Sequence, residues 1–328
     1  MRARFVVAAV LMVVGSGLQA QELPAPVCPG QTLQERVAQD ACQQAYDVFQ
    51  LLAPQLGLSL TGGNATAGQG GVLGGVGHFS IGVRFNGFSG LLPDVSDPGF
   101  TQNLNGAARS TLPTTKQFVG LPTADAAIGL FRGFPLALTN IIGLDALLSA
   151  SYVPKVNQSD VSIDPRTNFQ FGYGARIGLL SESIVTPGLS FTWIERDLPT
   201  TDVTATANNA TLSVRGAKVK TNAWRIVASK SLITFGFAVG AGRDHYDQSA
   251  TVAGVISGLG GAATTLATSQ TLDRTNIFAD LSWNLPFFKI VGEIGQASGG
   301  TVQTYNSFAG GRADRSQVYG SIGFRLSK

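Results

Sequence analysis

Apolar residues occupy every second position over most of the chain after residue 60. In residues 168–179, NFQFGYGARIGL, aromatic and aliphatic side chains alternate with glycine, asparagine, glutamine and one arginine. Alternation places consecutive side chains on opposite faces of a strand, so this pattern predicts a β-strand with one apolar face. The same period of two returns in residues 77–85, 124–130, 142–152, 185–193, 223–230, 233–241, 275–283, 287–295 and 318–326.

The length of these segments indicates where their apolar faces point. A tilted strand crosses a lipid bilayer with about 9–11 residues, which is close to the length of each segment. Lipid offers no hydrogen-bond partners, so strands survive there only in a closed barrel. We therefore predict an all-β fold, a transmembrane antiparallel β-barrel of about ten to twelve strands, with up to fourteen possible. The barrel is expected to occupy residues 61–328.

Charged residues within the segments lie on the polar faces. A charge on the lipid face near the midplane would cost roughly 2–4 kcal/mol, so we expect these side chains to face the lumen. Two interpretations remain open: they form a structural ion-pair network that fills a narrow lumen, or they line a pore that selects solutes. The predicted lumen-facing charges are Arg84, Asp125, Asp145, Arg176, Arg225, Asp280, Lys289, Glu293 and Arg325.

Composition argues against a secreted soluble β-sandwich, which would alternate in the same way. Charged residues make up 13% of the chain, about half of the usual share, and 41 of the 328 residues are glycine. A soluble sandwich would carry many lysine and glutamate side chains on its outer face. Here the faces that are not apolar consist largely of Gly, Ser, Thr and Ala, which favours the membrane barrel.

The connections alternate between short and long. The short ones are residues 181–188, 230–232 and 284–287, as is typical of periplasmic turns, and the long ones are expected to face the cell exterior. Alternation continues into two of the long stretches, which predicts strands that extend beyond the bilayer. Residues 89–122 contain Pro93, Pro98 and Pro113, and we expect either that the 89–117 part is split into strands or that the region forms a long loop that folds inward. The long stretches are residues 155–167, 198–218, 244–272 and 297–314.

The N-terminus predicts export. Residues 1–20 combine two arginines, an apolar stretch and a small-residue site, which is typical of a signal peptide cleaved near Ala20. Cys28 and Cys42 would then reach an oxidising compartment, where a pair of cysteines is normally bridged. We predict this disulfide, which is worth roughly 3 kcal/mol for a loop of about 15 residues.

Residues 31–53 have the period of a helix instead. Thr32 followed by Glu35 predicts a capping box, and apolar residues recur along one stripe. Pro54 and Gly57 are expected to end this helix. Residues 21–60 therefore predict a short helical segment tied by the disulfide. It lies either inside the barrel as a plug or in the periplasm, packed against the rim.

The signal peptide, the alternating strands and the aromatic-containing last strand with Phe324 resemble Gram-negative outer-membrane β-barrel proteins of the porin-like kind. The helical segment before the first strand is similar to the hatch of long-chain fatty acid outer-membrane transporters. The resemblance implies localisation in the bacterial outer membrane, contact with outer-membrane lipid, and recognition by the barrel assembly machinery.

The chain offers little for catalysis. Asp244 and His245 stand where some outer-membrane proteases use Asp and His, but the neighbouring loops show no second acidic pair to activate water. We therefore expect no enzyme, no catalytic residues, no cofactor and no metal. The formal charge of +3 falls to +1 when Arg2 and Arg4 leave with the signal peptide, so no nucleic-acid partner is expected.

The expected function is passive passage of a small or hydrophobic solute across the outer membrane. The alternative is a non-transporting structural or surface-binding outer-membrane barrel. Lumen width separates the two, because about ten strands with a helix inside leave little room, whereas twelve to fourteen leave a channel. The sequence does not identify the solute.

Overall fold

A computed structural model describes residues 24–94, 104–158, 160–207, 210–257 and 262–327. The predicted signal peptide lies outside these ranges. Within them the chain forms helix α1 and seventeen strands: α1 (Leu33–Thr61), β1 (Phe79–Pro93), β2 (Thr111–Leu112), β3 (Thr114–Phe131), β4 (Phe134–Leu136), β5 (Thr139–Ile141), β6 (Gly143–Tyr152), β7 (Val156–Asn157), β8 (Val161–Pro165), β9 (Phe169–Leu180), β10 (Gly188–Asp197), β11 (Thr201–Ala207), β12 (Ala210–Ser231), β13 (Phe235–Ile256), β14 (Ala262–Asn284), β15 (Lys289–Ala297), β16 (Ser307–Phe308) and β17 (Gln317–Ser327).

Ten of these strands form a ring in which every neighbouring pair is antiparallel. Their order is β1, β3, β6, β9, β10, β12, β13, β14, β15 and β17, and β17 pairs back with β1. Ser80 lies opposite Ser327, so the first and last barrel strands close the sheet. The predicted antiparallel barrel is confirmed, with a strand number at the lower end of the expected range.

The barrel wall follows the alternation of the sequence. Ile81, Phe171 and Phe237 are 54%, 75% and 52% exposed on the outer surface, whereas their strand neighbours face inward. Aromatic pairs such as Tyr173 with Trp193 lie on this surface, with ring centroids 5.9 Å apart. An exposed apolar surface of this extent is what lipid, not water, requires of a barrel.

The two ends of the barrel differ. At the short-turn end, residues 181–187, 232–234 and 285–288 join neighbouring strands. At the long-loop end, β12, β13 and β14 extend to 22, 22 and 23 residues, about twice the length that a bilayer needs. The strands β11, β8 and β7 continue the sheet there beside β12. In the 89–122 region, β1 continues to Pro93 and β3 begins at Thr114. Between them, the N–H groups of Ala107 and Ala108 donate to Gln39 and Asp40 of α1 at 3.1 and 3.3 Å.

Helix α1 lies inside the barrel. It begins at the long-loop end against Ala210, Ile256 and Ala262, and Thr61 at its end contacts Asp244 and Tyr246. Residues 62–78, called the lumenal segment below, continue to the short-turn end, where β1 starts. No helix of the described residues is long and apolar enough to cross a membrane.

The predicted helix end was wrong. The helix passes through Pro54 and Gly57 and ends at Thr61. Proline removes one backbone donor from a helix. Here the side-chain amide of Gln55 donates to the carbonyls of Leu51 and Leu91, both at 2.9 Å, and so ties this turn to the barrel wall. Contacts with the wall therefore outweigh the local signal to stop.

Candidate functional site: the occupied lumen

The C-terminal end of α1 is capped by the barrel wall. The last carbonyls of a helix lack partners within the helix and carry its negative dipole end. The last turn of α1 contains no basic residue of its own. Instead, Arg196, Arg225 and Arg84 donate to the carbonyls of Leu60, Thr61 and Gly62 at 3.3, 2.9 and 2.7 Å. We call these three residues the arginine collar.

Two carboxylates on the strands pair with the three residues of the arginine collar. Asp125 forms an ion pair with Arg84 at 2.8 Å and accepts a hydrogen bond from Arg196 at 3.1 Å. Arg225 pairs with Asp244 at 2.5 Å, and both side chains are almost fully buried. A buried cation needs such a partner, because its desolvation would otherwise cost several kcal/mol. Asn86 adds bonds to two more helix carbonyls, those of Leu58 and Ser59, at 3.1 and 3.0 Å.

Strand carboxylates hold the backbone N–H groups of the lumenal segment. Glu293 accepts from Asn64 N at 2.9 Å, and Asp280 accepts from Gly68 N at 3.0 Å. Asp145 accepts from Leu73 N at 3.2 Å and also pairs with Arg176 at 2.6 Å.

Carbonyls of the same segment are held by a cation. Arg325 donates to the carbonyl of Ala67 at 2.7 Å and to that of Thr66 at 3.2 Å. Between residues 60 and 73, cations of the wall thus bind backbone carbonyls and carboxylates of the wall bind backbone N–H groups. These are charge-assisted hydrogen bonds, which are stronger than neutral ones.

All nine charges predicted to face the lumen lie on the inner side of the wall. Six are buried, namely Arg84, Asp145, Arg176, Arg225, Asp280 and Arg325, whereas Asp125, Lys289 and Glu293 are half-buried. On the described barrel strands, three further buried charges were missed: Arg196, Asp244 and Arg274. Arg196 and Asp244 lie just past the segments assigned to strands. Continuing the alternation beyond Trp193 and Ala241 would have placed both inward.

The first half of α1 packs through its apolar stripe. The predicted Cys28–Cys42 disulfide is present. Cys42, Ala45 and Phe49 form a buried cluster with Ala250 and Val252 of β13. Contact is closest at Gly254, where an added Cβ would lie 2.4 Å from the backbone nitrogen of Cys42. The stripe is therefore covered by the long extensions of the barrel strands, whose inner faces are apolar at this level.

The polar face of α1 holds the long loop between β15 and β17. Asp47 accepts from the backbone N–H groups of Tyr305 and Asn306 at 3.0 and 2.9 Å, and from the Asn306 side chain at 2.8 Å. Burial nevertheless raises the pKa of Asp47 to about 6. This contact folds the loop over the helix and narrows the long-loop end.

Cavities are found at both ends of the lumen. One of about 500 Å³ at the long-loop end is lined by Arg109, Tyr305 and Arg312, among others. One of about 460 Å³ lies at the short-turn end. Between these levels, a cavity beside Arg84 and Asp125 measures only about 20 Å³, enough for about one water molecule. The lumen is thus filled where the arginine collar meets the helix.

Asp244 and His245 are separated by the sheet. Asp244 points inward to Arg225, whereas His245 points outward and contacts Asp273 at 2.9 Å. The hydrogen bond from His245 lowers the pKa of Asp273. Because the two side chains lie on opposite faces, they do not form a joint acid–base pair. The described residues contain no group of three or more His, Cys, Asp or Glu that could hold a metal ion.

The sequence matches no family model. It also matches no characterised protein by sequence. Among solved structures it is similar to the beta domain of the Bordetella autotransporter BrkA, with 9% identity over 76% of this chain and 98% of that chain, at a TM-score of 0.26. It is also similar to OmpT of Vibrio cholerae, with 9% identity over 76% of this chain and 97% of that chain, at a TM-score of 0.17. It is similar as well to the outer membrane channel DcaP of Acinetobacter baumannii, with 9% identity over 79% of this chain and 100% of that chain, at a TM-score of 0.17. Scores this low assign neither family nor function, so the barrel assignment rests on the strand ring and its apolar outer surface.

Proposed function

We propose that this protein is an outer-membrane barrel that its own N-terminal segment keeps closed, and that its long-loop end serves as a binding surface. The observation that carries the proposal is the occupied lumen, which α1 and the lumenal segment fill from one end towards the other. The end of α1 and the lumenal segment as far as Leu73 are hydrogen-bonded to charged side chains of the wall, so spontaneous opening would require the loss of many charge-assisted bonds.

The long-loop end supports the binding role. Long loops of outer-membrane barrels face the cell exterior, so this end would meet molecules outside the cell. Its cavity of about 500 Å³ combines cationic, aromatic and hydroxyl groups, and the disulfide-tied start of the chain lies beside it. Such a lining suits a polar or anionic ligand. We propose no enzymatic role, a location reached by signal-peptide cleavage near Ala20, and assembly by the barrel assembly machinery.

Passive passage of a small solute is the second candidate. The lining of the lumen favours it, because six buried arginines and several carboxylates would surround a water-filled path if α1 left: Arg84, Arg176, Arg196, Arg225, Arg274 and Arg325. In that case the nine predicted charges would select solutes. With α1 in place, they act as a structural network.

Conductance in planar bilayers separates the two candidates. The mature protein is expected to conduct little, and removal of residues 21–56 is expected to open a steady pore in a barrel that still shows heat-modifiable migration. Removal of residues 21–27, which keeps Cys28 and the helix, is the matched control and should stay closed. A mature protein that conducts as strongly as the truncated one would contradict the closed barrel and favour passage.

Membrane insertion is tested separately. Phe171→Arg puts a charge on the outer surface, where it should cost roughly 2–4 kcal/mol and impair assembly in the outer membrane. Gln170→Arg, at the neighbouring inward position, should assemble better. The measurement is the heat-modifiable fraction recovered with outer membranes. Equal damage from both changes, or recovery of the native protein in the soluble periplasm, would overturn the membrane barrel.

A further inference from the structure

Two cations lie side by side at the short-turn end. Lys289 on β15 and Arg325 on β17 are direct partners in the antiparallel register. Like charges directly opposite each other on neighbouring strands destabilise a sheet. An arrangement of this kind calls for a compensating anion.

Neither cation forms an ion pair with a carboxylate of the described residues. This contrasts with Arg84, Arg176, Arg196 and Arg225, each of which does. Arg325 is only 3% exposed, and its Nε has no hydrogen-bond partner although its Nη1 holds the lumenal segment. The positive charge of Arg325 is thus buried without a carboxylate partner, which costs free energy that a nearby anion would offset.

The cavity of about 460 Å³ opens onto both cations. Hydroxyl groups of Ser183 and Ser231 also line it. The one carboxylate in the lining, that of Glu182, already accepts from the N–H of Ser231 and the hydroxyl of Ser229. The cavity therefore carries an excess of positive charge, and the Ser231 hydroxyl is a further donor, whereas the Ser183 hydroxyl is already bonded to Thr186 at 2.7 Å.

We propose that this cavity, which we call the short-turn pocket, binds a small oxyanion, the phosphate or carboxylate group of a small molecule. The ammonium of Lys289 donates to its oxygens, the hydroxyl of Ser231 adds a contact, and the guanidinium of Arg325 supplies a second positive charge beside them. Charge-assisted bonds of this kind are strong in a partly desolvated site. Because the short-turn end faces the periplasm in an outer-membrane barrel, the anion comes from that side.

The test is titration of the folded mature protein, in non-ionic detergent, with inorganic phosphate and separately with acetate, followed by calorimetry. Binding of either anion is expected in the native protein, and the tighter one identifies the preferred group. Lys289→Gln should weaken it about tenfold or more, the size expected for one lost charge-assisted hydrogen bond. Lys116→Gln, an exposed lysine on β3 near the long-loop end, is the matched control and should bind as the native protein does.

Lys289→Arg keeps the positive charge and should retain anion binding. If it does, the weaker binding of Lys289→Gln comes from the lost charge and not from poor folding. Heat-modifiable migration reports folding in every case. The proposal is overturned if the native protein binds neither anion, or if Lys289→Gln and Lys116→Gln bind equally well. Anion binding is measured without reference to conductance. The proposal of an anion site and the proposal of a closed barrel can therefore be refuted independently of each other.

Discussion

The two ends of helix α1 are stabilised in different ways. Its first turn is capped by its own sequence, because Thr32 and Glu35 exchange hydrogen bonds and the disulfide ties Cys28 to the third turn. Its last turn depends on residues that are far away in sequence, chiefly the arginine collar. The first end is thus a local structure that docks on the barrel, whereas the last end exists as observed only inside the barrel.

The largest effect is expected at the collar. Arg225→Met would leave Asp244 buried without its cation and remove the donor to the Thr61 carbonyl. Loss of one partner of a buried pair costs about 3–5 kcal/mol. Urea unfolding of the barrel in detergent should show this loss. Arg243→Met, which breaks an exposed pair with Asp273, should cost less than about 1 kcal/mol.

Adding Asp244→Asn to Arg225→Met should recover part of the stability, because the uncompensated charge is gone. If the single and double variants unfold alike, the stability of this region does not come from the ion pair. Bilayer recordings of Arg225→Met should also show brief openings as the helix end loosens.

The second largest effect is expected when the disulfide is removed. Replacing Cys28 and Cys42 with serine removes a constraint worth about 3 kcal/mol in the chain-entropy model. The barrel should still fold, since the strand ring does not involve these residues, but the start of α1 should become open to protease at the long-loop end. Limited proteolysis with N-terminal sequencing would show this. Reductant should reproduce the effect in the native protein and add nothing in the double serine variant.

Close packing of the helix on β13 is tested by Gly254→Ala. The new Cβ would lie 2.4 Å from the backbone nitrogen of Cys42, so the helix must shift. Overpacking of this kind costs about 1–3 kcal/mol. Gly292→Ala, where no heavy atom lies within 4 Å of the added Cβ, is the matched control and should unfold as the native protein does. Identical urea curves for both variants would show that the helix is not held against β13.

The same contrast explains how much could be predicted from the sequence. Alternation with a period of two predicted the barrel strands, because lipid enforces that pattern residue by residue. The capping box and the disulfide are local in sequence and were predicted too. The helix end at Thr61 was not, since its partners Arg84, Arg196 and Arg225 come from three different strands. No local signal links them, and only the closed ring brings them together.

The smallest effect is expected at the first turn. Thr32→Ala removes the hydroxyl that accepts from Glu35 N at 3.2 Å, a loss of about 1 kcal/mol for a typical N-cap. Because the disulfide and the apolar stripe still hold the helix, only the first turn should fray, and hydrogen exchange of residues 33–36 should accelerate while that of residues 57–61 stays slow. The hydrogen bond from Thr32 N lowers the pKa of Glu35, so its contribution is present above the ordinary pKa and is lost as the pH falls through the lowered value. Native protein in acid should therefore fray at the same turn as Thr32→Ala does at neutral pH. Faster exchange at both helix ends in Thr32→Ala would mean that the ends are coupled, and that the collar does not hold the last turn by itself.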